Sequence, residues 1–144
     1  MTHEDAGHYA AKHPDSDVKK EVLEAVRLAA HDQKISCAKA FTVVRTLKTT
    51  PREVGIAADT LEIKIEKCQL GLFGYEPEKR IVKAASVIDE EMAGAIKESL
   101  AGGRLRCEDS WNIAKRFNCS KMTVSSVCEA LAIKISECQL GAFK

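Results

Sequence analysis

Residues 63–73 read IKIEKCQLGLF and residues 133–143 read IKISECQLGAF. The spelling I-K-I-x-x-C-Q-L-G-x-F therefore occurs twice, at an offset of 70 (133 − 63), and a match of that length does not arise by chance. Carried backwards without a gap, the offset pairs Glu21 with Glu91, Ala25 with Ala95, Cys37 with Cys107, Val54 with Val124 and Leu61 with Leu131. Other pairs keep their physical type: Val26 with Ile96, Ile35 with Leu105, Phe41 with Trp111, Val43 with Ile113. An internal period takes precedence over every other sequence signal, because missing one mis-assigns the whole fold. The chain reads as a tandem of two copies of one unit.

Composition bounds what those units are. With 144 residues, each copy sits near the lower limit for independent folding. Aromatic content is low while Val, Ile, Leu and Ala are plentiful, which suits small helical cores. The formal net charge is +1, so any basic face must be local. No apolar run approaches the roughly 20 residues that a membrane span requires, and the first residues lack an apolar signal-peptide core. We expect a cytoplasmic protein with no membrane partner, whose six cysteines are thiols or metal ligands rather than disulfides.

Working outward from the repeated stretch, each copy divides into three helical patterns and an extended tail. Residues 1–14 are polar and without sustained periodicity, and are expected to form a flexible arm. His3, His8 and His13, at intervals of five, would not share one helix face. Asp15, Ser16 and Asp17 supply helix-start chemistry ahead of Val18, Val22, Ala25, Val26 and Ala29. The counterpart is a helix over about 86–100, with Gly102 and Gly103 as its stop. Second helices are expected to begin near Cys37 and Cys107, and third helices to cover 51–61 and 121–131. Thr50 and Ser120 are natural N-caps, and Pro51 suits a first helical turn. The alternation of I-K-I then predicts a short extended segment after each third helix. These assignments give an arm over 1–14, a first unit over 15–74, a connection over 75–84 and a second unit over 85–144.

The run IAKRFNCSKMTVSSVCEAL, residues 113–131, resembles the helix-turn-helix of bacterial transcription regulators. In that family a small residue lets the two helices pack closely, a residue tolerant of left-handed backbone makes the turn, and branched residues anchor the second helix. Ala114, Asn118, Val124 and Val127 match those roles in order. The first copy, VVRTLKTTPREVGIAADTL, places Val44, Lys48, Val54 and Ala57 at the same positions. The resemblance implies a mainly α fold of two tandem tri-helical, winged-helix-like units and a regulator that binds double-stranded DNA as a pseudo-dimer within one chain. It also implies that the third helix of each copy reads the major groove. Candidate contacts are Thr50 and Arg52 in the first copy and Ser120, Lys121, Thr123, Ser125 and Ser126 in the second, with Lys64 and Lys134 reaching phosphate as wing residues do. Carried over in full, the recognition positions also include Pro51, Gly55, Ile56 and Asp59, and Met122 and Glu129.

Two alternatives stand beside DNA binding. Tri-helical units also serve as protein-interaction modules, binding a second copy or another protein. Cys37 and Cys68 recur as Cys107 and Cys138, and a pair of thiolates in each copy, with His31 or an arm histidine added, would offer a metal or redox-sensing locus. C-x-x-C spacing is absent, and buried cysteine also packs as a small hydrophobe. No cofactor is expected. Neither a phosphate-cradling glycine loop nor a G-x-S-x-G elbow occurs, so the sequence points away from an enzyme.

Overall fold

Each I-K-I segment leads into a short strand, and that strand pairs with one the sequence does not announce. In a computed structural model that describes residues 9–12 and 18–144, β2 (Lys64–Glu66) runs parallel to β1 (Lys34–Ser36), with Ile35 opposite Ile65. Likewise β4 (Ile135–Ser136) runs parallel to β3 (Leu105–Arg106), with Leu105 opposite Ile135. Each pair joins the segment just before a second helix to the segment just after a third. Six α-helices occupy the described residues: α1 (Lys20–Ala29), α2 (Cys37–Leu47), α3 (Pro51–Thr60), α4 (Glu90–Glu98), α5 (Cys107–Arg116) and α6 (Lys121–Ala130). The protein is mainly α-helical, and none of these helices is long and apolar enough to cross a membrane.

The starts of α4, α5 and α6 fall 70 residues after those of α1, α2 and α3 (90 − 20, 107 − 37, 121 − 51). Left-handed backbone recurs at the same offset, at Asp32 and Gly102, Gln33 and Gly103, Lys48 and Asn118, Glu62 and Ala132, Lys67 and Glu137, and Gly71 and Gly141. Helix ends expected from sequence shift slightly. α4 starts at Glu90, capped by Asp89, whose carboxylate accepts from the amides of Glu91 and Met92. It ends at Glu98, so Gly102 and Gly103 are not its stop; they form a tight turn further on, closed by the bridge between Ala101 and Arg104. Asp15, Ser16 and Asp17, expected to start the first helix, lie outside the described residues, as do His3, His8 and His13.

Two compact units result, with boundaries that differ from the sequence expectation. Unit 1 is the chain through Cys68 together with Gln139–Lys144, and unit 2 is Gln69–Cys138. Beside the division expected at 15–74 and 85–144, residues 69–74 and the connection over 75–84 group with unit 2, and Gln139–Lys144 group with unit 1. The physical reason lies in where the apolar tail residues find cover, since Leu70 is buried within unit 2 and Leu140 within unit 1.

In unit 1, α1 packs on α2 and α3, and Val22, Val26, Ile35, Ala40, Phe41, Val54 and Ala57 are all buried. In unit 2, Met92 and Ile96 from α4 meet Leu105, Ile113, Ala114, Val124, Val127 and Cys128. Complete burial of Ile96 and Leu105 stabilises this small core by about 1.5–3 kcal/mol each. The expected flexible arm is, over Tyr9–Lys12, a 3-10 turn docked on α3: the amides of Tyr9 and Ala10 both donate to the Glu62 carboxylate at 2.7 Å. Two backbone donors on one carboxylate make a charge-assisted anchor, and Tyr9 is buried with it.

Candidate nucleic-acid interface

Each unit holds two helices joined at a left-handed corner. α2 ends at Lys48 with φ 52° and ψ 41°, and Asn118 after α5 has φ 51°. Asparagine enters this region readily, whereas lysine does so only when its surroundings compel it. Here the amides of Lys48 and Thr49 close onto the carbonyls of Arg45 and Val44, and those of Asn118 and Cys119 onto Lys115 and Ala114. The same corner thus forms with either residue.

The third helices begin as expected. The Thr50 hydroxyl accepts from the Glu53 amide at 3.1 Å, and the Ser120 hydroxyl accepts from the Thr123 amide at 3.1 Å. Ser120 Oγ also lies 2.8 Å from Thr123 Oγ1, so one of the two hydroxyl hydrogens is used between them and the other is left to donate outward. Val54 and Ala57 in α3, and Val124 and Val127 in α6, are buried against the unit cores. Ala114 is buried beneath α6, and its bulkier counterpart Val44 stays half-buried.

The sequence-derived contacts divide sharply by position. Thr50, Arg52, Lys64, Ser120, Thr123 and Lys134 are exposed. Lys121 is half-buried, with its ammonium 4.5 Å from the centre of the Trp111 ring, a cation–π contact that holds the charge at the corner. Ser125, expected among the contacts, is 1% exposed, because the face of α6 that carries it turns inward. Ser126 is half-buried, and its carbonyl accepts from the Ala85 amide at 3.0 Å.

Several of the remaining recognition positions also meet protein. Within unit 2, a side chain at Gly71 would meet the Met122 terminal methyl at 3.2 Å, so Met122 lies against the tail, and Glu129 is ion-paired with Arg80. Within unit 1, Asp59 is buried, and Gly55 is covered by the backbone of Leu140. Much of α3 and α6 therefore faces its own unit, while Arg52 in the first turn of α3 and Thr123 in that of α6 stay exposed.

Around those first turns the charge is one-sided, a signal present in the sequence but diluted by the near-neutral total. Residues 38–52 contain no acid, and their Lys39, Arg45, Lys48 and Arg52 are all exposed. Residues 110–128 contain no acid either, and they carry Lys115, Arg116 and Lys121. Arg116 stacks over Phe117 with 5.5 Å to the ring centre. The first acid of α3, Glu53, is engaged by the Thr49 hydroxyl.

The cysteine candidates are placed in cores rather than at one open locus. Cys37, Cys68 and Cys107 are buried and Cys138 is half-buried; the six cysteines form no disulfide. Among the described residues no three of His, Cys, Asp and Glu converge as a metal set would, and His31 is exposed beside Asp32 at 3.4 Å. Burial pushes the Cys128 thiol up to about 11, and burial followed by the Asp89 charge raises Cys119, the opposite of what an activated thiolate needs.

No protein-family model, no curated protein and no solved structure matches this chain.

Proposed function

We propose that the chain is a DNA-binding protein acting in transcriptional control, built of two tandem tri-helical helix-turn-helix units that serve as a pseudo-dimer. The observation that carries this reading is the acid-free basic corner repeated in each unit: Arg45, Lys48 and Arg52 about one left-handed turn, Lys115, Arg116 and Lys121 about the other. Such corners suit the phosphate backbone, which supplies most of the affinity of protein–DNA complexes. Hydroxyl groups at the caps Thr50 and Ser120 add neutral phosphate contacts beside them. Lys64 and Lys134, exposed after the third helices, extend the positive surface as wing residues.

Base reading is confined to the first turns, because the helix bodies are covered. Arg52 is the side chain suited to the guanine edge, through two parallel hydrogen bonds to O6 and N7. Binding is thus dominated by backbone contacts, with modest sequence preference.

The test is fluorescence anisotropy with a mixed-sequence duplex between 50 and 200 mM salt. Affinity should fall steeply with salt, and the log–log slope should lessen by about 1 for each of Lys48→Ala, Arg52→Ala and Lys121→Ala. Absence of any complex at the lowest salt, or slopes indifferent to all three substitutions, would sink the reading.

A further inference from the structure

Two kinds of partner hold the cations of unit 2. Arg106 is bound to Asp109 through Nε at 2.7 Å, and Arg80 is paired with Glu129. Lys121 and Arg116, on either side of the corner at Asn118, are held by rings instead. The Lys121 ammonium lies 4.5 Å from the centre of the Trp111 ring, and the Arg116 guanidinium 5.5 Å from that of Phe117. Neither cation takes part in an ion pair among the described residues.

The difference decides what each cation offers to an anion. A carboxylate cancels the charge that it orients, and a phosphate must displace it. A ring face attracts the cation through its quadrupole, orients it and leaves the full positive charge in place. An ammonium has three N–H donors, so a ring on one side leaves the others for an oxygen.

The first copy lacks this arrangement. The positions 70 before Trp111 and Lys121 hold Phe41 and Pro51, and those before Phe117 and Arg116 hold Leu47 and Thr46. Phe41 is buried, whereas the larger Trp111 is half-buried and reaches the first residue of α6. Lys39, Lys48 and Arg52 of the first corner are exposed and lie over no ring among the described residues. A long exposed side chain loses rotamer freedom when it settles on a phosphate, and prior ordering removes that cost. Lys121 is ordered before DNA arrives, whereas Lys48 and Arg52 are ordered by it.

We propose that Trp111 is a positioning residue that holds Lys121 for a DNA phosphate, which makes unit 2 the pre-ordered half of the pseudo-dimer. This inference rests on the DNA-binding reading and adds to it a division of labour between the units. Charge and position then have separate signatures. Removing the Lys121 charge reduces the number of counterions released and lowers the salt slope. Removing the ring leaves the charge, so the slope is kept while affinity falls at every salt concentration.

The experiment is anisotropy of the full chain with the mixed-sequence duplex over the same salt range. Trp111→Leu keeps apolar bulk without a π face, and Trp111→Phe keeps a smaller π face. Trp111→Leu should bind about three- to tenfold more weakly than wild type with an unchanged slope. Trp111→Phe should recover most of that loss, and Trp111→Leu should have no further effect in a Lys121→Met background. A Trp111→Leu protein that binds as wild type does, or that loses the same affinity with Lys121→Met present, overturns the positioning role. So does a slope that falls by about 1 in Trp111→Leu, as it should in Lys121→Met. Absence of any wild-type complex overturns the DNA reading and the positioning role together, which keeps the two failures distinct. Should Trp111→Leu fail to fold, the emission of Trp111, the only tryptophan in the chain, decides. Saturating duplex should change that emission in the wild type, and the change should be lost in Lys121→Met; an equal change in both proteins overturns the role.

Discussion

Arg80 and Glu129 are ion-paired within unit 2, tying the connecting segment to the outer face of α6. Their side chains are about half and one-third exposed, so the pair is solvent-screened and contributes under about 1 kcal/mol. Its electrostatic effect on the helix is larger in consequence, because Glu129 is the first acid after the acid-free run over 110–128. Arg80→Ala should therefore leave the midpoint of urea unfolding nearly unchanged, while weakening DNA binding severalfold at low salt by baring the Glu129 carboxylate. Glu129→Gln should restore affinity in the Arg80→Ala background. If the double variant binds no better than Arg80→Ala, the carboxylate is not what weakens the complex.

Cys128 gives the protein an alkaline limit. Burial holds its thiol at about 11, above the ordinary 9.0, so the folded state disfavours the thiolate that the unfolded chain forms readily. The sign follows: this contribution is fully present below about pH 9 and is lost as pH rises towards 11. Unfolding free energy measured at pH 8.5 and 10.5 should fall more steeply in the wild type than in Cys128→Ala, although the variant starts lower for want of the sulfur in the core. Equal slopes in the two proteins would show that Cys128 is not the group responsible.

Local chemistry was the legible part of this chain. The caps Thr50 and Ser120 and the turn at Asn118 depend on side chains and backbone within a few residues of one another, and they form as their residue types dictate. Lys48 was harder to read, since no property of lysine favours left-handed backbone; the hydrogen bonds closing the helix end impose it. β1 carries no sequence signal because three residues, Lys34, Ile35 and Ser36, are too few to show alternation, and only pairing with β2 makes them a strand. The destination of each Q-L-G-x-F tail was not legible at all. Its apolar spelling predicts burial, but the choice between one third helix and the other is settled by tertiary contacts such as that between Leu140 and Gly55. The same contacts cover positions that the helix-turn-helix pattern assigns to DNA.

The two turns before the second helices test how much backbone strain the first copy carries. Gly102 and Gly103 have φ of 60° and 80°, and the same positions in the first copy are Asp32 and Gln33 at 53° and 60°. A side chain on Gly103 would meet nothing within 4 Å, so only backbone conformation opposes one there. Gly103→Ala should destabilise unit 2 by roughly 1–2 kcal/mol. Gln33→Gly should stabilise unit 1 by somewhat less, since it also gives up the long contacts from Gln33 Nε2 to the carbonyls of Leu61 and Glu62, each at 3.4 Å. Calorimetric melting of both variants checks the pair; a Gly103→Ala protein as stable as wild type would mean that the turn tolerates an L side chain without strain.

Ser125 separates the core of unit 2 from the proposed interface. It stands 70 positions after Gly55 (125 − 55), its hydroxyl is buried, and Oγ has no hydrogen-bond partner among the described residues. A buried hydroxyl without a partner costs about 1–3 kcal/mol in lost solvation. Removing it while keeping the β-carbon relieves that cost and leaves only a small void. Ser125→Ala is therefore expected to raise the stability of unit 2 by about 1 kcal/mol, measured by urea unfolding, and to leave DNA affinity unchanged, whereas Lys121→Ala lowers affinity without changing stability to a comparable degree. A fall in DNA binding on Ser125→Ala, in a protein whose stability has not fallen, would return Ser125 to the contact surface and require the inward face of α6 to open when DNA binds.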